Sequence, residues 1–216
     1  MSRSLAVLSL PVFVLAVGYA APVPKAPAEK SYTATADGTV LVYLWTTTND
    51  KGGSDQSEVT EVVTAVKKTA AGLVVTRSHK MGGGDYGSSD TFLLSDKGLF
   101  TTGTNMTGPG VEGERSWKID PPACLLKLPH KDRAEWAYDC PAQDGGLVGV
   151  KATNTAYGPE EVVVPAGKYM AIRVEHAGTS NGKATKATFW YAPEVGLVKM
   201  LCDGVVQELK SVTPGK

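Results

Sequence analysis

Between Glu160 and Met200 the chain reads EEVVVPAGKYMAIRVEHAGTSNGKATKATFWYAPEVGLVKM. It is a series of runs of strand length, each stopped by turn residues. An apolar run meets Pro165-Ala166-Gly167, an alternating run meets a polar turn, and an aromatic run meets Pro193 and Gly196 before a last apolar one. Strands place successive side chains on opposite faces, whereas an amphipathic helix needs apolar residues three and four apart. The passage follows the first rule. It constrains architecture strongly and chemistry hardly at all.

The same grammar extends upstream and downstream. Thr39 to Thr47 is rich in β-branched and aromatic residues and is stopped by Asn49 to Ser54. Glu58 to Lys68 fits a strand or a short helix, and its Val and Thr content favours the strand. Leu73 to His79 follows Ala70-Ala71-Gly72, and Thr91–Ser95 joins Leu99–Thr104 through Asp96-Lys97-Gly98 as a hairpin. Pro121-Pro122 opens a stretch whose prolines preclude a long helix, and no element is assigned there. Ala134–Cys140 alternates in half-buried fashion, with Gly146–Ala156 after it. Strands are expected at 160–164, 168–177 and 184–192, then a hairpin of Gly196–Leu201 and Val205–Lys210 about Asp203-Gly204. About ten short strands with no long helix predict an all-β protein: a curved antiparallel sheet, half-barrel or barrel-like, in a single domain spanning 31–216.

The N-terminus carries Arg3, an apolar run from Leu5 to Val17, then Gly18-Tyr19-Ala20. This is the pattern of a secretory signal peptide over residues 1–20, and its apolar run is shorter than the roughly 20 residues a spanning helix needs. No cysteine lies beside the cleavage point, which argues against a lipid-anchored form. Residues 21–30 (APVPKAPAEK) read as a Pro-rich linker. The protein is therefore expected to be exported, periplasmic or extracellular, with no transmembrane segment after cleavage. Twenty-two basic residues balance 22 acidic ones, so nothing in the net charge points to nucleic acid or an anionic surface. In an oxidising compartment Cys124 and Cys140 would close a loop of about 15 residues, a candidate disulfide, with Cys202 left as a buried thiol; pairings that involve Cys202 stay open.

Chemical motifs are sparse. Gly82–Gly87 (GGGDYG) matches a dinucleotide fingerprint in letters, but no helix signal follows it; a surface loop or a lid is the better reading. His79, His130 and His176 form no metal-ligand spacing, so neither a metal nor a cofactor is expected. His176 shares a strand face with Met170, Ile172 and Val174. No G-x-S-x-G occurs, and the carboxylates Asp85, Asp90, Asp96, Glu160 and Glu161 are spread over turns and strand exteriors. Trp45, Trp117, Trp136 and Trp190 lie in or beside predicted strands. They either fill the core of a curved sheet or line a cavity for an apolar ligand, core filling being favoured. Trp45, Trp136, Trp190 and His176 are the ligand-site candidates; no catalytic residue is selected.

Val164, Pro165, Ala166, Gly167 and Tyr169, followed by Trp190, Tyr191, Pro193, Gly196 and Val198, resemble a motif of exported bacterial proteins of the DUF3108 family and related uncharacterised secreted proteins. The resemblance covers about the last quarter of the chain. It implies a curved antiparallel sheet similar to the half-barrels of periplasmic lipoprotein carriers, LolA/LolB-like. In physical terms Pro165, Gly167, Pro193 and Gly196 are the corners, because Pro cannot donate to a ladder and Gly tolerates positive φ. Three functions are compatible with this chain. The first is a non-enzymatic envelope module acting in structure, interaction or binding. The second is a carrier or sensor with a lipid or other apolar molecule on the concave face, and the third a hydrolase built on dispersed carboxylates. Its partner would be a lipid or another envelope protein.

Overall fold

A computed structural model describes residues 31–48, 52–81, 87–107, 114–143 and 149–216. The signal peptide, the Pro-rich linker and residues 82–86 of the glycine-rich loop lie outside the described residues. The chain forms twelve strands: β1 Val40–Thr48, β2 Ser54–Thr69, β3 Gly72–Met81, β4 Gly87–Ser95, β5 Gly98–Thr107, β6 Arg115–Lys127, β7 Glu135–Cys140, β8 Val150–Val164, β9 Gly167–Ser180, β10 Lys183–Ala192, β11 Gly196–Cys202 and β12 Val205–Thr213. All pair antiparallel in one sheet of order β6-β5-β4-β3-β2-β1-β12-β11-β10-β9-β8-β7, which curls into a nearly closed barrel. No described residue is in an α-helix.

One open stretch is filled and one strand expectation is corrected. Pro121 and Pro122, where the sequence assigns no element, lie within β6. Among the described residues β6 pairs with no strand but β5, so its prolines omit donors that no neighbour needs. Residues 160–164 are not a separate strand but the end of β8. Gly158 and Pro159 drop out of the pairing with β9 between Tyr157 and Glu160, and the bulge absorbs them without ending the strand. Glu58–Lys68 lies inside the 16-residue β2, so its strand reading holds.

The Pro165 corner is a tight turn between β8 and β9, and Gly167 has φ +128° in open space, so the glycine there answers to backbone conformation alone. Gly196 has φ +98° and also sits tightly: a Cβ there would come within 3.0 Å of the Arg77 guanidinium.

One end of the barrel is plugged. The β8–β9 tip reaches past its sheet neighbours to β12, where the Ala166 amide donates to the Leu209 carbonyl at 2.9 Å. Val162, Val164 and Ala171 then pack with Leu41, Tyr43, Val63, Val75, Val198 and Leu209. The segment before β1 enters the same region: Ala34 N donates to Val195 O at 3.2 Å, and Thr33 and Ala34 are buried. A second apolar cluster joins Leu99, Leu126 and Leu128 to Ala156, Ile172, Val174 and Tyr191.

The proposed Cys124–Cys140 bridge is not formed; Cys124, Cys140 and Cys202 are all free. β6 and β7 are the two ends of the sheet and share no hydrogen-bonded ladder. What ties them is the Trp136 indole, whose Nε1 donates to the Cys124 carbonyl at 2.9 Å. Cys140 lies four residues further along β7 and packs with Ile119 and Ala123.

Candidate functional site

Beyond the plug the barrel is hollow. Alternation decides what faces the hollow: Val63, Glu61 and Val59 succeed one another along β2, and Val75, Arg77 and His79 along β3. The first member of each trio is in the plug; the next two line a cavity of about 340 Å³. Its walls are Tyr32, Trp45, Phe92, Phe189 and Tyr191, with Leu99, Leu125 and Leu197.

Four charged side chains sit on this lining. Arg77 and Glu61 are only 5% and 7% exposed. Arg77 Nη1 donates to Glu61 Oε2 at 3.3 Å, and its Nη2 to Thr33 Oγ1 of the plug segment. The guanidinium also lies over the Phe92 ring, 5.4 Å from its centroid. His79 bridges two carboxylates, with Nδ1 3.3 Å from Glu61 Oε1 and Nε2 3.0 Å from Asp90 Oδ2. Burial alone would lower the His79 pKa, but the hydrogen bonds and charges of Asp90 and Glu61 outweigh it and raise it to about 10. Burial works to raise Asp90, yet the His79 hydrogen bond and charge hold it below its ordinary value. The cluster is thus a chain of alternating charges that links β2, β3 and β4. Trp45 Nε1, Arg77 Nε and His79 Nε2 are all buried without a well-aligned hydrogen bond, His79 Nε2 meeting Asp90 as an ion pair.

A second cavity of about 250 Å³ shares the Leu125, Phe189 and Tyr191 wall and is otherwise lined by Tyr138, Val150, Asn154, His176, Ala187 and Cys202 among others. His176 Nδ1 is 2.8 Å from Asn154 Oδ1, and the ring stands edge-on to Tyr138 and Phe189. Burial lowers its pKa, so the imidazole is neutral at pH 7.

Of the four residues singled out in the sequence, Trp45 and His176 line cavities, one in each. Trp136 and Trp190 line neither. Trp136 fastens β7 to β6, and Trp190 donates to Glu160 Oε1 at 2.8 Å. Glu160 in turn meets Arg173, which stacks on Tyr157. Sequence reasoning missed Glu61 and Arg77, and took Asp90 for an exterior carboxylate. The available signal was a charged residue midway between two valines at two-residue spacing, as in Val59-x-Glu61-x-Val63.

No family model and no curated protein matches the chain. Solved structures do. A Bacteroides fragilis protein inferred to be exported, with a YMCC-like fold, superposes with a TM-score of 0.57 at 11% identity, over 85% of this chain and 99% of its own. A Parabacteroides distasonis protein inferred to be a lipoprotein gives 0.58 at 16% identity, with the same coverage. At these identities the likeness is one of fold.

Proposed function

We propose that this protein is a non-catalytic binding module of the cell envelope that takes a molecule with an apolar body into its barrel. The observation that carries this is the cavity of about 340 Å³, walled by aromatic side chains and carrying a paired cluster of charged ones on its lining. A largely apolar pocket of that size with a few convergent polar groups is what small-molecule sites have in common. Export is supported by the N-terminal signal pattern and by the company of two chains of the same fold inferred to be exported or a lipoprotein. The DUF3108 resemblance rests on the C-terminal motif.

The hydrolase reading has one observation in its favour: Glu61 and Asp90 face the same cavity. A carboxylate pair catalyses when one member is held protonated as the acid and the other is free to act. Here Asp90 is held ionised, His79 and Arg77 occupy three of the four carboxylate oxygens, and Thr104 also hydrogen-bonds Asp90. The arrangement suits a fixed polar wall better than proton transfer.

Native mass spectrometry of the protein purified from its own host tests the binding reading. A stoichiometric small-molecule adduct is expected, and its loss from a Phe189→Trp variant that fills the shared wall would place it. A clean apo mass, with no uptake of apolar compounds added at millimolar concentration, would sink the proposal.

A further inference from the structure

We propose that the second cavity is a binding site of its own, and that it takes an uncharged molecule whose hydroxyl donates to His176 Nε2. It does not depend on what fills the first cavity. It follows from a chain of hydrogen bonds in which each atom has one possible role. The Cys124 carbonyl can only accept, so the Asn154 atom 3.3 Å from it is the amide Nδ2. Asn154 Oδ1 is then the atom that meets His176 Nδ1, at 2.8 Å, and a carbonyl oxygen there requires Nδ1 to carry the proton. Nε2 of the neutral ring is left as a lone pair. Burial favours that neutral form.

His176 is only 8% exposed. Its Nε2 has no hydrogen-bond partner among the described residues, and unlike Trp45 Nε1 and Arg77 Nε it keeps accessible surface. The ring lines the cavity with Nδ1 turned to Asn154, so that surface is open to a molecule seated there. Donors nearby are turned elsewhere: Thr185 Oγ1 donates to Asp203 Oδ2 at 3.1 Å, and Cys202 Sγ to the same oxygen at 3.8 Å. Among the described residues no charged side chain is on the lining, so an ionic head group of either sign would be buried without a counter-charge. An ether or ester brings acceptors only and would leave one lone pair facing another. A hydroxyl supplies the missing proton, and its apolar body lies against Leu125, Val150 and Phe189.

The isomers n-hexanol and methyl pentyl ether differ in the donor, and hexanoate and hexylammonium put each charge on a chain of the same length. All four are titrated calorimetrically into delipidated protein. The alcohol is expected to bind about tenfold more tightly than the ether, the scale of one buried hydrogen bond, and the ions more weakly still. Equal affinity for alcohol and ether, or an ion bound as tightly as the alcohol, would overturn the proposal. His176→Phe keeps a ring without the lone pair and should bring the alcohol down to the level of the ether. Ala187 pairs across the ladder with both His176 and Cys202, so Ala187→Leu fills the space between them and should abolish binding of the alcohol. Alcohol affinity unchanged in Ala187→Leu would strike the second cavity and leave the first as the host. Where a variant does not fold, a long-range proton–nitrogen spectrum of the wild-type His176 ring decides. Nδ1 is expected as the protonated nitrogen, with the Nε2 resonance moved by the alcohol; a proton on Nε2, or an Nε2 unmoved at saturation, would overturn the proposal. If no probe binds at millimolar concentration the proposal falls, and the reading of the first cavity is left to the native mass spectrum.

Discussion

Glu61 lies between the buried Val59 and Val63, and Arg77 between His79 and the buried Val75; the two charges survive there only as part of a paired chain. His79 is the middle of that chain, and its titration has a calculable consequence. Its pKa is raised from 6.5 to about 10 in the folded protein. The folded state therefore keeps a proton that the unfolded state gives up. The resulting stabilisation is complete below pH 6.5 and is lost as pH rises through about 10. We expect the free energy of urea unfolding to fall over that interval by up to about 5 kcal/mol more in the wild type than in His79→Asn. Parallel pH profiles for the two proteins would show that the bridge does not hold the proton. Asp90 has the opposite sign: its pKa is lowered from 3.8, so its share is present above that value and lost on acidification. Little of this was legible in the sequence. Val59-x-Glu61-x-Val63 hinted at a charge on a buried face, but Arg77 and Asp90 sit among Thr and Ser on both sides, and alternation alone does not say which face is inside until the sheet is closed.

At the scale of elements the sequence was more generous, because turns announce themselves. Pro165-Ala166-Gly167, Pro193 with Gly196, and Asp203-Gly204 all fall where strands reverse. The sequence misled or fell silent where a strand carries a turn residue without turning: it was silent at Pro121-Pro122 within the edge strand β6 and wrong at Gly158-Pro159 within the bulge of β8. Edge position is a tertiary property, and no local pattern reports it. β6 and β7 meet without a ladder, so side chains close the seam. Trp136 Nε1 and Asn154 Nδ2 both donate to the Cys124 carbonyl, at 2.9 and 3.3 Å. Trp136→Phe keeps an aromatic ring at the seam and removes the shorter of these bonds. It should cost about 1 kcal/mol, with amide exchange rising in β6 and β7 and unchanged in the central β1 and β12. Uniform loss of protection across the barrel would show that the seam is no separate unit.

For the whole molecule, strand number sets the problem that the other features answer. About eight strands make a barrel whose interior its own side chains can fill, and wider barrels leave space. With twelve, this chain must bring in extra material or stay hollow. It does both: the β8–β9 tip and the segment before β1 fill one end, and the cavities are what remains. The plug and the site are joined, since Thr33 accepts from Arg77 and Gly196 makes room for the guanidinium. Damage to the plug should therefore reach the site. Ala34 is 3% exposed among Leu41, Val63, Val164 and Leu209. Ala34→Asp puts an unpaired carboxylate there, at a cost of about 3–5 kcal/mol, the scale of an uncompensated buried charge. Urea unfolding should show that loss at neutral pH and recover much of it at low pH, where the aspartate is neutral, relative to the wild type under the same conditions. Trp45 fluorescence should shift to the red in the same variant, as the Thr33 anchor of Arg77 is lost and water reaches the cavity wall. A variant as stable as the wild type would mean that the segment lies on the barrel without closing it, and that the cavity owes its shape to the strands alone.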